Sequence, residues 1–452
     1  MFEIMDTPIC DFINGYIKSG VSRLHMPGHK GVPFLGFEKY DLTEIKGADS
    51  LYEASGVIAR SEGNASRLFG TEHSFYSTEG SSLCVKAMLH TAMINAVPFE
   101  GRPVVLAARN VHKSFIHACA LLDIDAEWLY PESGSYICSC SVSCAELEEK
   151  LGSMAAPPIA VYITSPDYLG GISDISGISR VCVRHGVPLI VDNAHGAYLK
   201  FLRESLHPID LGADMCCDSA HKTLPVLTGG AYLHVSKSAP EGFARTARGS
   251  MALFASTSPS YLILQSLDLC NRYIHEGYAA RLEGCAGNLD RLKAAIRENG
   301  CAVRDTEPLK LVIDAGKTGM SGTALADVLR ANMVECEYSD SENVVMMFTP
   351  ENTQTDYIRA AAALSGLSAG SSAAAGTQAS LRKAEKAMTI REAVFKKHET
   401  VAPQAAIGRV CASPAVSCPP AVPIAVSGEV ITKEAAEFFV KHGIKEVEVV
   451  LA

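Results

Sequence analysis

Four short apolar runs punctuate the first half of the chain: PVVLAA (103–108), IAVYIT (159–164), VPLIVD (187–192) and GAYLHV (230–235). Each has the length of a fully buried strand, and polar residues follow it. Between the second and third lies DISGISRVCVRHG (174–186), a helix-sized stretch whose His185-Gly186 end predicts a C-terminal stop. Strand, helix, strand predicts an α/β fold in which helices cover a mainly parallel sheet. Such sheets take ligands at the carboxyl ends of their strands, so the polar residues after the runs are the candidates for chemistry.

Past residue 275 the pattern changes. YAARLEGCAGNLDRLKAAIRENG (278–300) reads as one long amphipathic helix ending at Asn299-Gly300, and KLVIDA (310–315) and VVMMFT (344–349) read as strands of a smaller α/β domain. The Ala/Ser/Gly-rich stretch LSGLSAGSSAAAGTQAS (364–380) predicts a linker or flexible loop. The expected partition is an N-terminal arm (1–45), a large domain (46–275), a small α/β domain (276–363), a linker (364–381) and a C-terminal domain (382–452).

Composition narrows the classes. A chain of 452 residues with 48% hydrophobic residues has room for two or three domains with proper cores. A formal charge of −10 argues against a nucleic-acid partner, which needs a basic footprint. No apolar run is long enough for a membrane helix, and the start MFEIMDTPICDFINGYIKSG lacks a signal pattern, so a cytoplasmic protein with no membrane partner is expected. Fifteen cysteines is a high count. CSCSVSC (Cys138, Cys140, Cys144) fits no usual zinc spacing, and Cys216 and Cys217 read as small buried apolar residues; reduced thiols and no metal are expected.

Four polar clusters carry the candidate chemistry. ARNVHKS (108–114) offers His112; VDNAHGAY (191–198) offers Asp192 and His195; DSAHK (218–222) offers Ser219, His221 and Lys222. STEGSSLCVKAMLH places Gly80, Ser81 and Ser82 directly before a helix whose Cys84, Ala87, Met88 and Thr91 share one face. Each alone has an ordinary structural reading: a surface lysine, a helix-capping Asp192, a serine N-cap. Together they are more specific. A lysine beside an apolar run loses hydration and is tolerated where its amine forms a Schiff base. Amides and hydroxyls at a helix N-terminus cradle an anion. The set suits pyridoxal 5′-phosphate, with its aldehyde on Lys222, ring nitrogen on Asp192, and phosphate on Ser81, Ser82 and Ser219.

The ordered motifs RLHMPGHKG (23–31), DSLYEASGVI (49–58), GSS, ARNVHKS, TSPDYLGGISDI (164–175), VDNAHGAY, DSAHKTLPVLTGGA and STSPSYLILQSLD (256–268) are similar to those of the Orn/Lys/Arg decarboxylase family. MTIREAV and CPPAVPIAVSGEVIT resemble its terminal domain. The family is a branch of the aspartate-aminotransferase-like (fold type I) pyridoxal-phosphate enzymes. The resemblance runs from about Arg23 to Thr432, with HMPGHKG starting at His25, and points to a short, biosynthetic-type member without the wing domain of the large acid-induced ones.

The resemblance implies a large fold type I domain, a smaller α/β domain and a C-terminal decarboxylase module. Lys222 would be the Schiff-base lysine, Asp192 the partner of the ring nitrogen and His112 the residue stacked on the ring. Thr257 and Ser258 would reach a neighbouring subunit's cofactor phosphate, which implies a homodimer or higher homo-oligomer with shared sites. The implied reaction removes CO2 from arginine, lysine or ornithine, giving agmatine or a diamine in polyamine metabolism. Lys222, His221 or His195 would return a proton to Cα.

The sequence departs from the family at Glu79 and Cys84 near the phosphate loop, and at Ala421 and Ser427, where glycine and proline are usual. Asp49, Glu53 and Asp167 are candidates to read the substrate's distal cation. HMPGHKG either closes the active-site mouth or pins the N-terminal arm. An aminotransferase or a Cα–Cβ lyase is the competing reading on the same fold. A non-catalytic regulator is disfavoured by the intact Lys222–Asp192–His112 set.

Overall fold

A computed structural model describes residues 4–97, 101–131, 138–139, 141–367, 383–416 and 421–451. The chain forms two compact units, one of Met1–Pro98 with Cys182–Arg281 and one of Phe99–Val181 with Leu282–Ala452. The strands are β1 (His73–Ser77), β2 (Val104–Ala108), β3 (Asp125–Leu129), β4 (Ala160–Thr164), β5 (Leu189–Asp192), β6 (Met215–Asp218), β7 (Ala231–Val235), β8 (Lys310–Asp314), β9 (Tyr338–Ser339) and β10 (Asn343–Met347). All four runs predicted in the first half are strands. So are both predicted in the second half, each within a residue or two of its expected bounds.

In the first unit the strand order is β1–β7–β6–β5. Here β5 and β6 run parallel, pairing Asp192 with Cys217, while β7 is antiparallel to both β6 and β1. The reversal follows from the chain between β6 and β7, which carries only the single-turn helix Ala220–Thr223 before it turns back. The Gly229-Gly230 pair serves that turn. Gly229 has φ +99°, and a Cβ there would lie 2.9 Å from the Thr78 carbonyl. Its own carbonyl accepts the Gly80 N–H at 2.7 Å.

The helix Gly80–Asn95 follows β1, and Cys84, Ala87, Met88 and Thr91 are all buried on it, as the spacing predicts. One detail differs from the sequence reading. Gly80, Ser81 and Ser82 do not precede the helix; they form its first turn, and Glu79 occupies the N-cap position.

In the second unit the order β4–β2–β3 is parallel throughout, and β8–β10–β9 is an antiparallel sheet. The predicted helices are Ile175–His185, followed by Gly186 at φ +64°, and Tyr278–Glu298. In the C-terminal segment, Thr389 and Glu392 form a capping box at the start of helix Ile390–Phe395. Strand His398–Val401 pairs antiparallel with Val447–Val450 over a core that includes Cys411, Ile424 and Phe439.

The expected linker falls largely on residues 368–382, outside the described residues, as do Cys140 and Cys418. Among the described residues all the cysteines are free thiols, and no helix is long and apolar enough to cross a membrane.

Candidate active site

The first unit gathers most of the predicted residues where strands end. Asp192 closes β5 and is 3% exposed. Its Oδ1 accepts the Ala194 N–H at 3.2 Å and the Cys217 thiol at 3.6 Å. Ser219 follows β6 and donates through Oγ to Ser81 Oγ at 2.9 Å, joining the strand end to the first turn of helix Gly80–Asn95. The early N–H groups of that helix have no carbonyl partner one turn back, so with two serine hydroxyls they make an anion cradle.

Lys222 lies on the short helix after β6, its N–H bonded to the Ser219 carbonyl at 3.0 Å. Its Nζ is 3.0 Å from His195 Nε2. An ammonium can only donate, so this imidazole nitrogen accepts. His221 turns to the other side: its Nδ1 donates to the Gly230 carbonyl at 3.0 Å, leaving Nε2 as the acceptor nitrogen. Burial lowers its pKa, the bond to Gly230 opposes that, and the charge on Lys222 adds to the lowering. His221 is therefore a neutral imidazole at neutral pH.

Thr257 and Ser258 lie exposed in the loop before helix Tyr261–His275. The loop is fastened within its own chain, where Ser256 N–H donates to Glu79 Oε1 at 2.8 Å and Ser258 N–H to Ser256 Oγ at 3.1 Å. Glu79 thus ties the loop to the residue that opens the anion cradle.

His112 belongs to the second unit, where it is the N-cap of helix Lys113–Leu122. Its Nδ1 accepts the Ser114 N–H at 3.1 Å, so in the neutral ring Nε2 carries the hydrogen.

A buried cluster escaped the sequence reading. Asp218, the last residue of β6, is fully buried and accepts from Asn193 Nδ2 at 2.7 Å, His207 Nε2 at 3.0 Å and His234 Nε2 at 3.2 Å. Burial opposes its charge, yet the two imidazoles hold the carboxyl well below the usual carboxylate range. Asn193 follows Asp192 and Asp218 precedes Ser219, so this carboxylate fixes the two strand ends that carry the site. Among the described residues, donor atoms of His207, Cys216 and Asp218 lie within 4.8 Å of one another. The imidazole–carboxylate bonds account for that grouping, and burial drives the Cys216 thiol well above its usual pKa.

Two candidates for the distal cation are otherwise engaged. Asp49 accepts backbone N–H groups of Ser50, Ser55, Gly56, Ile58 and Ala59 at 2.7 to 3.4 Å. Asp167 is buried and accepts from Ser139 Oγ at 2.7 Å and Gly171 N–H at 2.8 Å. Both carboxylates organise loops. Glu53 is exposed.

The family description "Orn/Lys/Arg decarboxylase, major domain" matches residues 7–306. The chain belongs to the Orn/Lys/Arg decarboxylase family. This decarboxylase is 30% identical to the uncharacterized protein YaaO of Bacillus subtilis, over 96% of its own chain and 93% of YaaO. It is 28% identical to the arginine decarboxylase of the same organism, over 97% and 94% of the two chains. Among solved structures it is similar to the lysine decarboxylase LdcF of Francisella novicida, with a TM-score of 0.80 and 17% identity over 98% of this chain and 81% of that one. The fold is the α/β, aspartate-aminotransferase-like one expected from the motifs, and the protein is an amino-acid decarboxylase.

The donor set of the first unit fits pyridoxal 5′-phosphate. It offers an amine at Lys222, a buried carboxylate at Asp192, and an anion cradle in which Ser81 and Ser219 are joined.

Proposed function

We propose that this decarboxylase converts a basic amino acid, arginine, lysine or ornithine, into agmatine or a diamine for cytoplasmic polyamine metabolism, with pyridoxal 5′-phosphate as cofactor. The observation that carries the reading is the Lys222 Nζ–His195 Nε2 contact of 3.0 Å, in a unit that also buries Asp192 and joins Ser81 to Ser219. Relatives named arginine decarboxylase, with 26–28% identity, support arginine as the first substrate to test. Free, mostly buried thiols suit a reducing compartment.

When bound, the cofactor supplies an electron sink for the pair released from the Cα–carboxylate bond. The chain's own groups do the rest. Lys222 would hold the cofactor's carbonyl carbon through its amine. Asp192 would supply the buried negative charge that keeps the ring nitrogen protonated. Ser81, Ser82, Ser219 and the helix N-terminus would hold the phosphate, and the family resemblance assigns His112 the role of stacking on the ring. His195 accepts a proton from Lys222 Nζ and can return it, so the pair can deliver a proton to Cα after CO2 departs.

Purified holoenzyme incubated in parallel with arginine, lysine and ornithine is expected to release CO2 and the matching amine in equal amounts, with arginine fastest. A keto acid formed without CO2 would replace this reading with an aminotransferase.

The assembly proposed is a homodimer. Val21, Leu24, Met26, Val32, Phe34, Leu35 and Phe37 are all exposed, from 45% at Phe37 to 93% at Leu24. An arm with so many exposed apolar side chains suits a second copy of the chain. If Thr257 and Ser258 serve the partner's phosphate, mixing inactive Lys222→Ala protein with inactive Ser258→Arg protein should restore activity. One site of the mixed dimer then takes its lysine from one chain and its intact loop from the other. Mixed dimers without activity would place the loop's function within its own chain, where Glu79 already holds it.

A further inference from the structure

In the second unit, helix Lys113–Leu122 is gripped at both ends by the C-terminal segment. At its start the Lys113 N–H donates to the Ala421 carbonyl at 2.9 Å. Ala421 holds φ +59°, a left-handed value that is strained for a non-glycine residue. At its end Arg391 Nη1 donates to the carbonyls of Ala120 at 2.9 Å and Leu121 at 3.1 Å, two of the last carbonyls, which a helix cannot satisfy itself.

Arg109, 2% exposed, adds a third fastening just ahead of the helix. Its Nη1 donates to the Pro423 carbonyl at 2.8 Å, and its Nη2 to the Ile424 carbonyl at 3.2 Å and Glu429 Oε2 at 3.4 Å. The guanidinium lies over the Trp128 ring, 5.3 Å from its centroid. His112 stands between Arg109 and Lys113 and caps the helix through its own ring nitrogen. Its imidazole plane is therefore referred to the helix axis, and the helix axis is referred to residues 391–429.

We propose that the C-terminal segment is a positioning clamp for His112: Arg109, the Ala421 carbonyl and Arg391 fix the helix that His112 caps, and so the plane of its imidazole. The clamp rests on the reading of His112 as the group that lies against the cofactor ring. Neither arginine is placed at the reacting atoms. They act through His112, whose proposed role depends on the orientation of its imidazole.

The experiment is a double-mutant cycle read as the dissociation constant of pyridoxal 5′-phosphate. It is followed by cofactor absorbance on full-length protein stripped of cofactor and titrated back. Arg391→Met is expected to weaken binding by about tenfold in the native background. In a His112→Ala background the same change should alter binding by less than about twofold. Arg109→Lys should repeat the pattern, because a single ammonium cannot reach three acceptors fixed for a planar fork. Arg391 is exposed, so Arg391→Met tests the clamp even if the buried Arg109→Lys fails to fold. Equal losses with and without His112, or no loss from Arg391→Met in the native background, would overturn the clamp. If His112→Ala itself leaves the constant unchanged, the role assigned to His112 fails first, and the clamp with it.

Discussion

Replacing Lys222 with alanine is expected to lower decarboxylation by roughly 10⁴- to 10⁶-fold, the scale seen when a covalent catalytic group is removed. The side chain leaves a half-buried position on a single-turn helix, and the backbone bond from its N–H to Ser219 remains. The fold should therefore persist while the amine that holds the cofactor's carbonyl is gone. His195 keeps its place but loses the ammonium 3.0 Å from Nε2, so proton return to Cα fails together with cofactor anchoring. Borohydride reduction of native holoenzyme, digestion and mass mapping should find the cofactor on the peptide containing Lys222. A label on any other lysine would overturn the assignment, and a Lys222→Ala protein with more than a few per cent of native turnover would do the same.

The sequence made the strand ends legible because apolar runs give way to polar residues there, and one run stops on a candidate site residue. VPLIVD ends at Asp192, and the lysine sits directly ahead of the TLPVLTGG turn into GAYLHV. Three strands of the first half were not legible. HSFYS, DAEWL and MCCD mix polar with apolar residues, and MCCD ends on the fully buried Asp218, so no apolar run announces them. The Asp218 cluster was hidden for a related reason. Its partners Asn193, His207 and His234 stand 11 to 25 residues away in sequence and meet only after β5, β6 and β7 pair. A signal did exist: an acid closing a short buried stretch, with one histidine in the loop before it and another in the strand after it.

The sequence offers Asp49 and Asp167 as candidate readers of the distal cation, and the structure gives each a loop-organising set of hydrogen bonds. Carboxylates near family motifs look like substrate readers until the backbone amides they hold become visible. Ala421 shows the reverse case. A departure from the usual glycine reads as neutral in sequence, and only its left-handed φ beside the Lys113 N–H reveals that the glycine had a conformational use.

Asp192→Asn is expected to separate the cofactor's residence from its chemistry. Asparagine has the shape of aspartate, and its Oδ1 can still accept the Ala194 N–H that fixes the native side chain at 3.2 Å. The site should therefore fill, since Ser81, Ser219, the helix N-terminus and Lys222 all remain. What disappears is a buried negative charge, at a residue 3% exposed, against a ring nitrogen that must stay protonated to draw electrons. A neutral amide offers that nitrogen no comparable stabilisation, and burial makes the loss larger than it would be in water. Removing one preorganised electrostatic partner of this kind costs about 10²- to 10³-fold in kcat. Cofactor affinity should fall much less than kcat, so the comparison is made at saturating pyridoxal 5′-phosphate, with occupancy read by absorbance beside each rate. Near-native kcat in the filled Asp192→Asn enzyme would show that another group protonates the ring. Loss of occupancy in proportion to kcat would make Asp192 a residue that holds the cofactor rather than one that activates it.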